Sequence, residues 1–258
     1  MNRNIFLKNY ETQENTKLVC PECHDGKLLI NKENISLVGY DKQNKESQEH
    51  EAFEPEWLKY GFHGFFECNN CNEKIVFAGK SSIDHRYINK DEDIEYYEEL
   101  VIEYIERPPY IIEINDKIPE EIKQMLIDSF KLFWIDISSC ANKIRIILEL
   151  MMDLFKVQKY VKTKRTLLNL HNRLEIFSRN HPSLEPSIFK AIKWIGNYAS
   201  HNERINKEDV LDSYALLEYA LKEIYNDKEK EILKIAKSIN KTKKPRSKKS
   251  LYPKKIHK

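Results

Sequence analysis

Apolar residues follow a short, strand-like pattern before residue 110. Runs rich in aromatic and β-branched residues, bounded by Gly or Asn, predict strands at residues 27–30, 35–40, 61–67 and 74–78. The polar segment 41–56 is expected to loop out between them. Residues 91–106 fit two structures: Tyr97, Val101 and Tyr104 give a helical stripe, whereas alternation over 100–105 favours a strand. Arg-Pro-Pro-Tyr at 107–110 then breaks the chain.

From Pro119 onward, the apolar residues recur with a helical period. About five helices are predicted, and they begin near Pro119, 138, 165, Ser183 and Asn206. Ser183 is a candidate cap for the fourth helix, and Asn206 with Asp209 resembles a capping box for the fifth, which continues to about residue 239. The second helix is apolar nearly all round and is therefore expected at the centre. Arg145 and Glu149 interrupt it one turn apart, and we expect them to pair.

The fourth predicted helix contains the stretch Ala-Ile-Lys-Trp-Ile-Gly-Asn-Tyr-Ala-Ser-His-Asn at 191–202. Gly196 is the only glycine after Gly79, and in a helix interior it costs roughly 1 kcal/mol relative to alanine. Close approach of another helix or of a ligand would explain it. The alternative is a simple kink, with His201 satisfying the last carbonyls of the helix. Asn197 and His201 lie one turn apart on a polar stripe that also carries Lys193.

Composition indicates a helix-rich chain with an ordinary core, since 33% of its 258 residues are charged and 41% are hydrophobic. No apolar run approaches the ~20 residues that span a bilayer, and the first residues lack a signal-peptide pattern, so a cytoplasmic protein without membrane contact is expected. The net charge of +2 hides an asymmetry: residues 237–258 carry ten Lys or Arg and no acid, which leaves −8 for the rest. Such a basic tail is typical of proteins that bind nucleic acid or another polyanion.

Four of the five cysteines form two C-x-x-C pairs, Cys20 with Cys23 and Cys68 with Cys71. Two such pairs in an intracellular chain predict one tetrahedral, structural Zn²⁺ site with four thiolate ligands. The alternative is a redox motif, which needs only one pair. His24 and His63 are spare candidate ligands. The nearby aromatic residues either stack on bases or supply the core of a small ribbon.

Several motifs together resemble a known family. They are the two cysteine pairs, Arg-Pro-Pro-Tyr, Ile-Pro-Glu-Glu-Ile, Asn142-x-x-Arg145-x-x-x-Glu149, and Ile-Lys-Trp-Ile-Gly-Asn-Tyr-Ala-Ser-His at 192–201. Over residues 18–227 the chain resembles a bacterial family of domains of unknown function, found alone or fused to restriction-endonuclease subunits. Its helical half is similar to the HEPN superfamily (higher eukaryote and prokaryote nucleotide-binding). The resemblance implies a helical bundle, often dimeric, in antiviral defence or nucleic-acid metabolism.

The resemblance also implies a candidate site. Active HEPN nucleases cut RNA without metal, using Arg-Asn/His-x-x-x-His. Asn197 and His201 match this motif, but Gly196 stands where the arginine belongs. That arginine would stabilise charge on the phosphate, which glycine cannot do. Arg145 from the facing helix is one possible substitute, and Lys193 and Arg204 on the same polar stripe are others.

The sequence therefore predicts an α+β protein: a small zinc-ribbon region with an acidic linker at 1–110, a HEPN-like bundle of about five helices at 111–239, and a basic, disordered tail at 240–258. We expect a homodimer that binds nucleic acid or a defence-system partner protein without robust catalysis. One alternative is a metal-independent endoribonuclease that uses His201, Asn197, Arg145 and Glu149. The other is an oligomerisation or antitoxin-like module.

Overall fold

The N-terminal half of the chain is built on an antiparallel sheet. The computed structural model describes residues 2–88, 93–161, 166–200, 204–225 and 227–243. Within these ranges the sheet has seven strands, β1 Tyr10–Glu11, β2 Glu14–Val19, β3 Lys27–Ile30, β4 Ile35–Gly39, β5 Lys59–Cys68, β6 Lys74–Tyr87 and β7 Ile94–Ile105. The strand order is β1-β7-β6-β5-β3-β2, and β4 pairs beside β3 on the same edge of β5. The terminal strands β1 and β2 contact each other, so the sheet curls into a nearly closed, barrel-like shape.

Every second side chain along the strands points into the interior of the curled sheet and fills it. Phe62 and Phe66 on β5 and Phe77 on β6 are buried, because side chains two residues apart point to the same face. The Phe66 and Phe77 rings stack with their centroids 4.0 Å apart. Trp57, another aromatic residue between the two cysteine pairs in the sequence, is 37% exposed instead. The aromatic residues of this region therefore lie partly in the core and partly on the surface.

Helices make up the C-terminal half. Two short helices, α1 Asn4–Leu7 and α2 Asp41–Gln48, belong to the N-terminal half, and the others are α3 Glu120–Ile135, α4 Ile137–Leu154, α5 Leu170–Asn180, α6 Pro186–Ser200, α7 Lys207–Tyr225 and α8 Asp227–Thr242. Helix α4 packs against α3, α5, α6 and α7. Its Ile144, Ile147 and Leu148 have no exposed surface, in agreement with the central position that its apolar sequence predicts. Among the described residues, no helix has both the length and the apolar content for crossing a bilayer.

The two halves share one hydrophobic core. Phe6 of α1 lies edge-on to Phe133 of α3, with ring centroids 6.1 Å apart. Helix α3 also contacts β7. Tyr110, in the segment between the sheet and the helices, places its ring 5.7 Å from that of Phe130. The connecting segment is thus packed into the structure.

The predicted fold class, a small ribbon followed by about five helices, is wrong. The N-terminal half is a seven-stranded sheet because β6 continues beyond the predicted 74–78 as far as Tyr87, and β7 covers the ambiguous segment as one long strand. Gly79 does not end β6. A Cβ there would overlap Val101 O of β7, and the pairing register shifts between Ala78 and Gly79, so the glycine accommodates a bulge inside the strand.

The helical half also differs from the prediction. Six helices follow residue 119 in the part of the chain described, because α8 is a separate helix. Helix α5 begins only at Leu170, since Tyr160 and Leu167 form an isolated β-bridge before it. Helix α6 begins at Pro186, and the Glu185 carboxylate, not Ser183, accepts a hydrogen bond from the Ser187 amide at 3.1 Å. Segment 41–56, expected to be a loop, contains α2.

Candidate metal centre and the polar cluster between two helices

The four cysteines of the two pairs converge on one point. Their Sγ atoms all lie within 4.8 Å of one another. The Cys20–Cys71 sulfurs are 3.9 Å apart and the Cys23–Cys68 sulfurs 3.7 Å apart. Zinc–thiolate bonds of about 2.3 Å in tetrahedral geometry put the sulfurs about 3.8 Å apart. The four side chains are therefore arranged to hold one metal ion.

The two cysteine pairs are presented by the same kind of turn. The Cys20 carbonyl accepts a hydrogen bond from the His24 amide, and the Cys68 carbonyl accepts one from the Asn72 amide, each at 3.0 Å. His24 and Asn72 both have a positive φ of 58°. His24 therefore belongs to the turn, and its ring packs 5.1 Å from that of Tyr110. His63 lies exposed on β5, and neither histidine belongs to the group of possible metal ligands.

Backbone amides surround the sulfurs. The Gly26 amide donates to Cys23 Sγ at 3.3 Å, and the Asn70 amide donates to Cys68 Sγ at 3.4 Å. Hydrogen bonds from the Gly26 and Asp25 amides lower the pKa of the Cys23 thiol to about 6. The thiolate is the form that binds metal, so these amides favour the ligating state of Cys23, whereas burial raises the pKa of the Cys20 thiol to about 12. A Cβ at position 26 would overlap Cys68 Sγ, which explains the glycine.

Arg107 joins the two cysteine pairs from outside. Its Nη1 lies 2.5 Å from the Oε1 atom of Glu22, a residue between the first two cysteines in the sequence. Its Nη2 lies 2.6 Å from the Oε1 atom of Glu73, which follows the second pair in the sequence. Nη2 also donates to the Lys74 carbonyl at 3.0 Å. The sequence indicated only a chain break at this residue. No spacing rule connects Arg107 to two glutamates so far away in the chain, so its role could be found only in the structure.

A polar cluster lies where α4 meets α6. Arg145 Nη1 donates to Glu149 Oε1 at 2.6 Å, so the predicted pair forms. Arg145 Nε also lies 3.4 Å from Asn142 Oδ1, which the Ser200 hydroxyl approaches at 3.4 Å. The side chains of Arg145 and Glu149 are 26% and 41% exposed, so the pair is only partly buried, and water weakens it.

Gly196 lies where α6 approaches α4 closely. A Cβ at this position would lie 2.6 Å from Arg145 Cβ and 3.1 Å from the Ala141 carbonyl oxygen. Of the two explanations given by the sequence, the close approach of another helix is therefore the one found. Asn197 follows on the same helix and is half-buried. His201 lies outside the described residues, so its position relative to Arg145 and Glu149 is a prediction only.

Comparison with family models gives one match in each half of the chain. Residues 8–105 match Domain of unknown function (DUF8608), and residues 128–242 match Domain of unknown function (DUF4145). Comparison with curated proteins and with solved structures finds no match. The chain is thus similar to uncharacterised domains on both sides of the Arg107–Tyr110 segment, and neither family description mentions a metal or a HEPN relationship.

Proposed function

We propose that this protein binds nucleic acid without cleaving it and that a structural Zn²⁺ holds its N-terminal half together. The observation that carries the proposal is the distribution of charge. Residues 237–258 hold ten Lys or Arg and no acid, on a chain whose other residues sum to −8. Lys237, Lys241 and Lys243 at the described start of this segment are all exposed. Exposed lysines attract phosphates and release counterions when nucleic acid binds.

The donor set supports zinc in a structural role. Four thiolates at tetrahedral spacing leave no open coordination position for a substrate, as in structural zinc sites. Cys20 and Cys68 have no exposed surface. Close sulfur contacts join the two pairs, Cys20 to Cys71 and Cys23 to Cys68, whereas a redox C-x-x-C motif needs only the two cysteines of one pair. Iron also binds four thiolates, so the metal must be identified directly.

Elemental analysis tests the metal. Protein purified without chelator should contain one zinc per chain, and Cys23→Ser should lose it and destabilise the N-terminal half, because metal binding is coupled to folding. Cys140→Ser is the matched control. This buried thiol contacts α3 and α7 and does not belong to the four-cysteine group. Protein with no zinc, or with stoichiometric iron, would contradict this part of the proposal.

Salt dependence tests the nucleic-acid interface. Replacing Lys237, Lys241 and Lys243 with Gln should reduce the slope of log affinity against log salt for single-stranded RNA by about 2, at roughly 0.7 per phosphate contact. The control replaces Lys42, Lys45 and Lys131, which are exposed on α2 and α3, and should leave the slope unchanged. Equal effects of the two triple variants would rule out a specific role for the C-terminal segment.

The resemblance to HEPN domains extends this proposal to prokaryotic antiviral or restriction-linked defence, in which the protein acts in the cytoplasm as a homodimer and contacts a partner protein of the system. Co-purification of nucleic acid or of a defence protein with the native chain would support this extension. Absence of both, together with no RNA binding, would favour an oligomerisation or antitoxin-like module.

One observation favours a second function, a metal-independent endoribonuclease. The stem of Arg145 fills the space beside Gly196, so a guanidinium emerges next to the position where the HEPN arginine is missing. Together with Asn197, His201 and Glu149, it would form a rearranged catalytic cluster. RNA cleavage in the presence of chelator that disappears in both His201→Ala and Arg145→Gln would replace the first proposal with this one. We expect no cleavage by the parent protein.

A further inference from the structure

A polar cleft lies between α4 and the N-terminus of α5, beside the polar cluster of α4 and α6. It has a volume of about 360 Å³, and its charged lining residues are Arg145, Glu149, Asp153, Lys159 and Arg173. The sequence did not reveal it, because its charged lining residues come from three separate segments of the chain that only folding brings together. The volume falls near the lower end of the range for small-molecule pockets, about 300–1,000 Å³.

Arg173 is the unusual residue of this cleft. It is only 6% exposed. Its Nη2 donates to Asp153 Oδ1 at 2.6 Å and to the Val157 carbonyl at 3.1 Å. Its Nε is buried, and none of the described residues accepts a hydrogen bond from it. A buried guanidinium with an unpaired N–H is costly, so an anion bound nearby that offsets its positive charge would stabilise the site.

The charges around Arg173 favour an anion. Asp153 lies between two cations, 2.6 Å from Arg173 Nη2 and 2.7 Å from Lys159 Nζ, which gives this trio a net charge of +1. Glu149 is neutralised by Arg145 at 2.6 Å. The three cations and two carboxylates that line the cleft therefore sum to +1.

The N-terminus of α5 adds a third positive group, after Arg173 and Lys159, that can attract an anion. Asn169 caps this 11-residue helix, and its side chain accepts a hydrogen bond from the Asn172 amide at 2.9 Å. Asn169 and Leu170 line the cleft, so the positive end of the helix dipole opens into it. Helix N-termini bind phosphate through their amides and dipole.

We propose that this cleft binds the phosphate group of a phosphate ester, with Lys159 Nζ as the direct donor, the Arg173 guanidinium as a positive charge at the wall of the cleft, and the α5 N-terminus as a third positive partner. The phosphate comes either from a free mononucleotide or from the 5′ end of a nucleic-acid strand. The inference does not depend on the function proposed for residues 237–258, because the cleft belongs to different elements of the fold. Asp153 orients both cations, and Arg145 is held by Glu149 at the edge of the cleft.

Nuclear magnetic resonance of arginine Nε–Hε groups tests the site directly. The full-length protein is titrated with adenosine 5′-monophosphate, and separately with a short RNA carrying a 5′-phosphate or a 5′-hydroxyl. The Nε–Hε signal of Arg173, assigned from its loss in Arg173→Lys, should shift with phosphate-bearing probes and not with the 5′-hydroxyl RNA. Lys159→Met should weaken binding about tenfold or more, the loss of one charge-assisted hydrogen bond.

Lys131→Met is the matched control, because it removes one exposed lysine of α3 that does not line the cleft, and it should bind like the parent. Binding of the mononucleotide alone identifies a free nucleotide as the ligand, and binding of the 5′-phosphorylated RNA alone identifies a strand end. No shift of the Arg173 signal, an equal shift of that signal with 5′-hydroxyl RNA, or equal weakening of mononucleotide binding by Lys131→Met would overturn the proposal. None of these outcomes depends on zinc or on the lysines of α8.

Discussion

Replacing Gly196 with alanine should destabilise the helical half, although the same change in an unpacked helix would stabilise it. Helix propensity favours alanine by roughly 1 kcal/mol. However, the new Cβ would lie 2.6 Å from Arg145 Cβ, where two carbons in contact need about 3.5–4.0 Å. Arg145 Cβ is fixed to the backbone and cannot swing away, so α4 and α6 must separate by about 1 Å. Overpacking of this kind costs about 1–3 kcal/mol. Subtracting the gain in helix propensity leaves an expected net loss of up to about 2 kcal/mol.

Urea unfolding followed by circular dichroism measures this loss, and a pair of second substitutions isolates its cause. Arg145→Gly and Arg145→Ala both remove the ion pair with Glu149, but only Arg145→Gly removes the Cβ that collides. Alone, Arg145→Ala should be the more stable of the two by roughly 1 kcal/mol. In the Gly196→Ala background this difference in stability should shrink or change sign, because only Arg145→Gly removes the Cβ that collides. A Gly196→Ala protein that is more stable than the parent would refute the close approach of the helices.

Two further changes test the metal centre and a helix cap. Arg107→Gln should lower metal affinity about tenfold in a chelator competition, as loss of outer contacts to a metal site typically does, because Glu22 and Glu73 lose their common partner. Hydrogen bonds from Ser139 hold the pKa of Asp136 below its ordinary value, so stability present above about pH 4 is lost as pH falls. Asp136→Asn keeps a good cap and should make acid unfolding less steep; an unchanged pH profile would contradict this.

The convergence of the four cysteines was predictable because the information for it is local. Two C-x-x-C pairs determine two turns, and strand β3 at Lys27–Ile30 follows from four residues with a clear boundary. Gly196 was also informative, since an isolated glycine in a helix requires a packing reason. The four converging sulfurs and the contact with Arg145 agree with those two predictions.

The rest of the sheet was not predictable, for physical reasons. Strand β2, Glu14–Val19, is mostly polar, and only Thr16 and Leu18 on its buried face belong to the core. Strand β7 carries apolar residues at both strand and helix spacing, and pairing with β6 decides between them. Arg173 is one of several arginines in the sequence. Its burial depends on Asp153, a residue of another helix, so tertiary packing alone makes it distinctive.

The wide separation of the two cysteine pairs would affect how quickly the proposed metal ion is captured. Cys23 and Cys68 are 45 positions apart. Closing a flexible loop of that length costs about 3 kcal/mol in chain entropy before any stabilising contact forms. Strand β3 pairs with β5 at Leu28 and Cys68, so formation of the sheet brings the second pair to the first. A chain that has lost its metal and unfolded must therefore rebuild this strand pairing before all four sulfurs can bind an ion. Metal uptake during refolding should follow the rate of sheet formation and be independent of metal concentration once zinc is in excess.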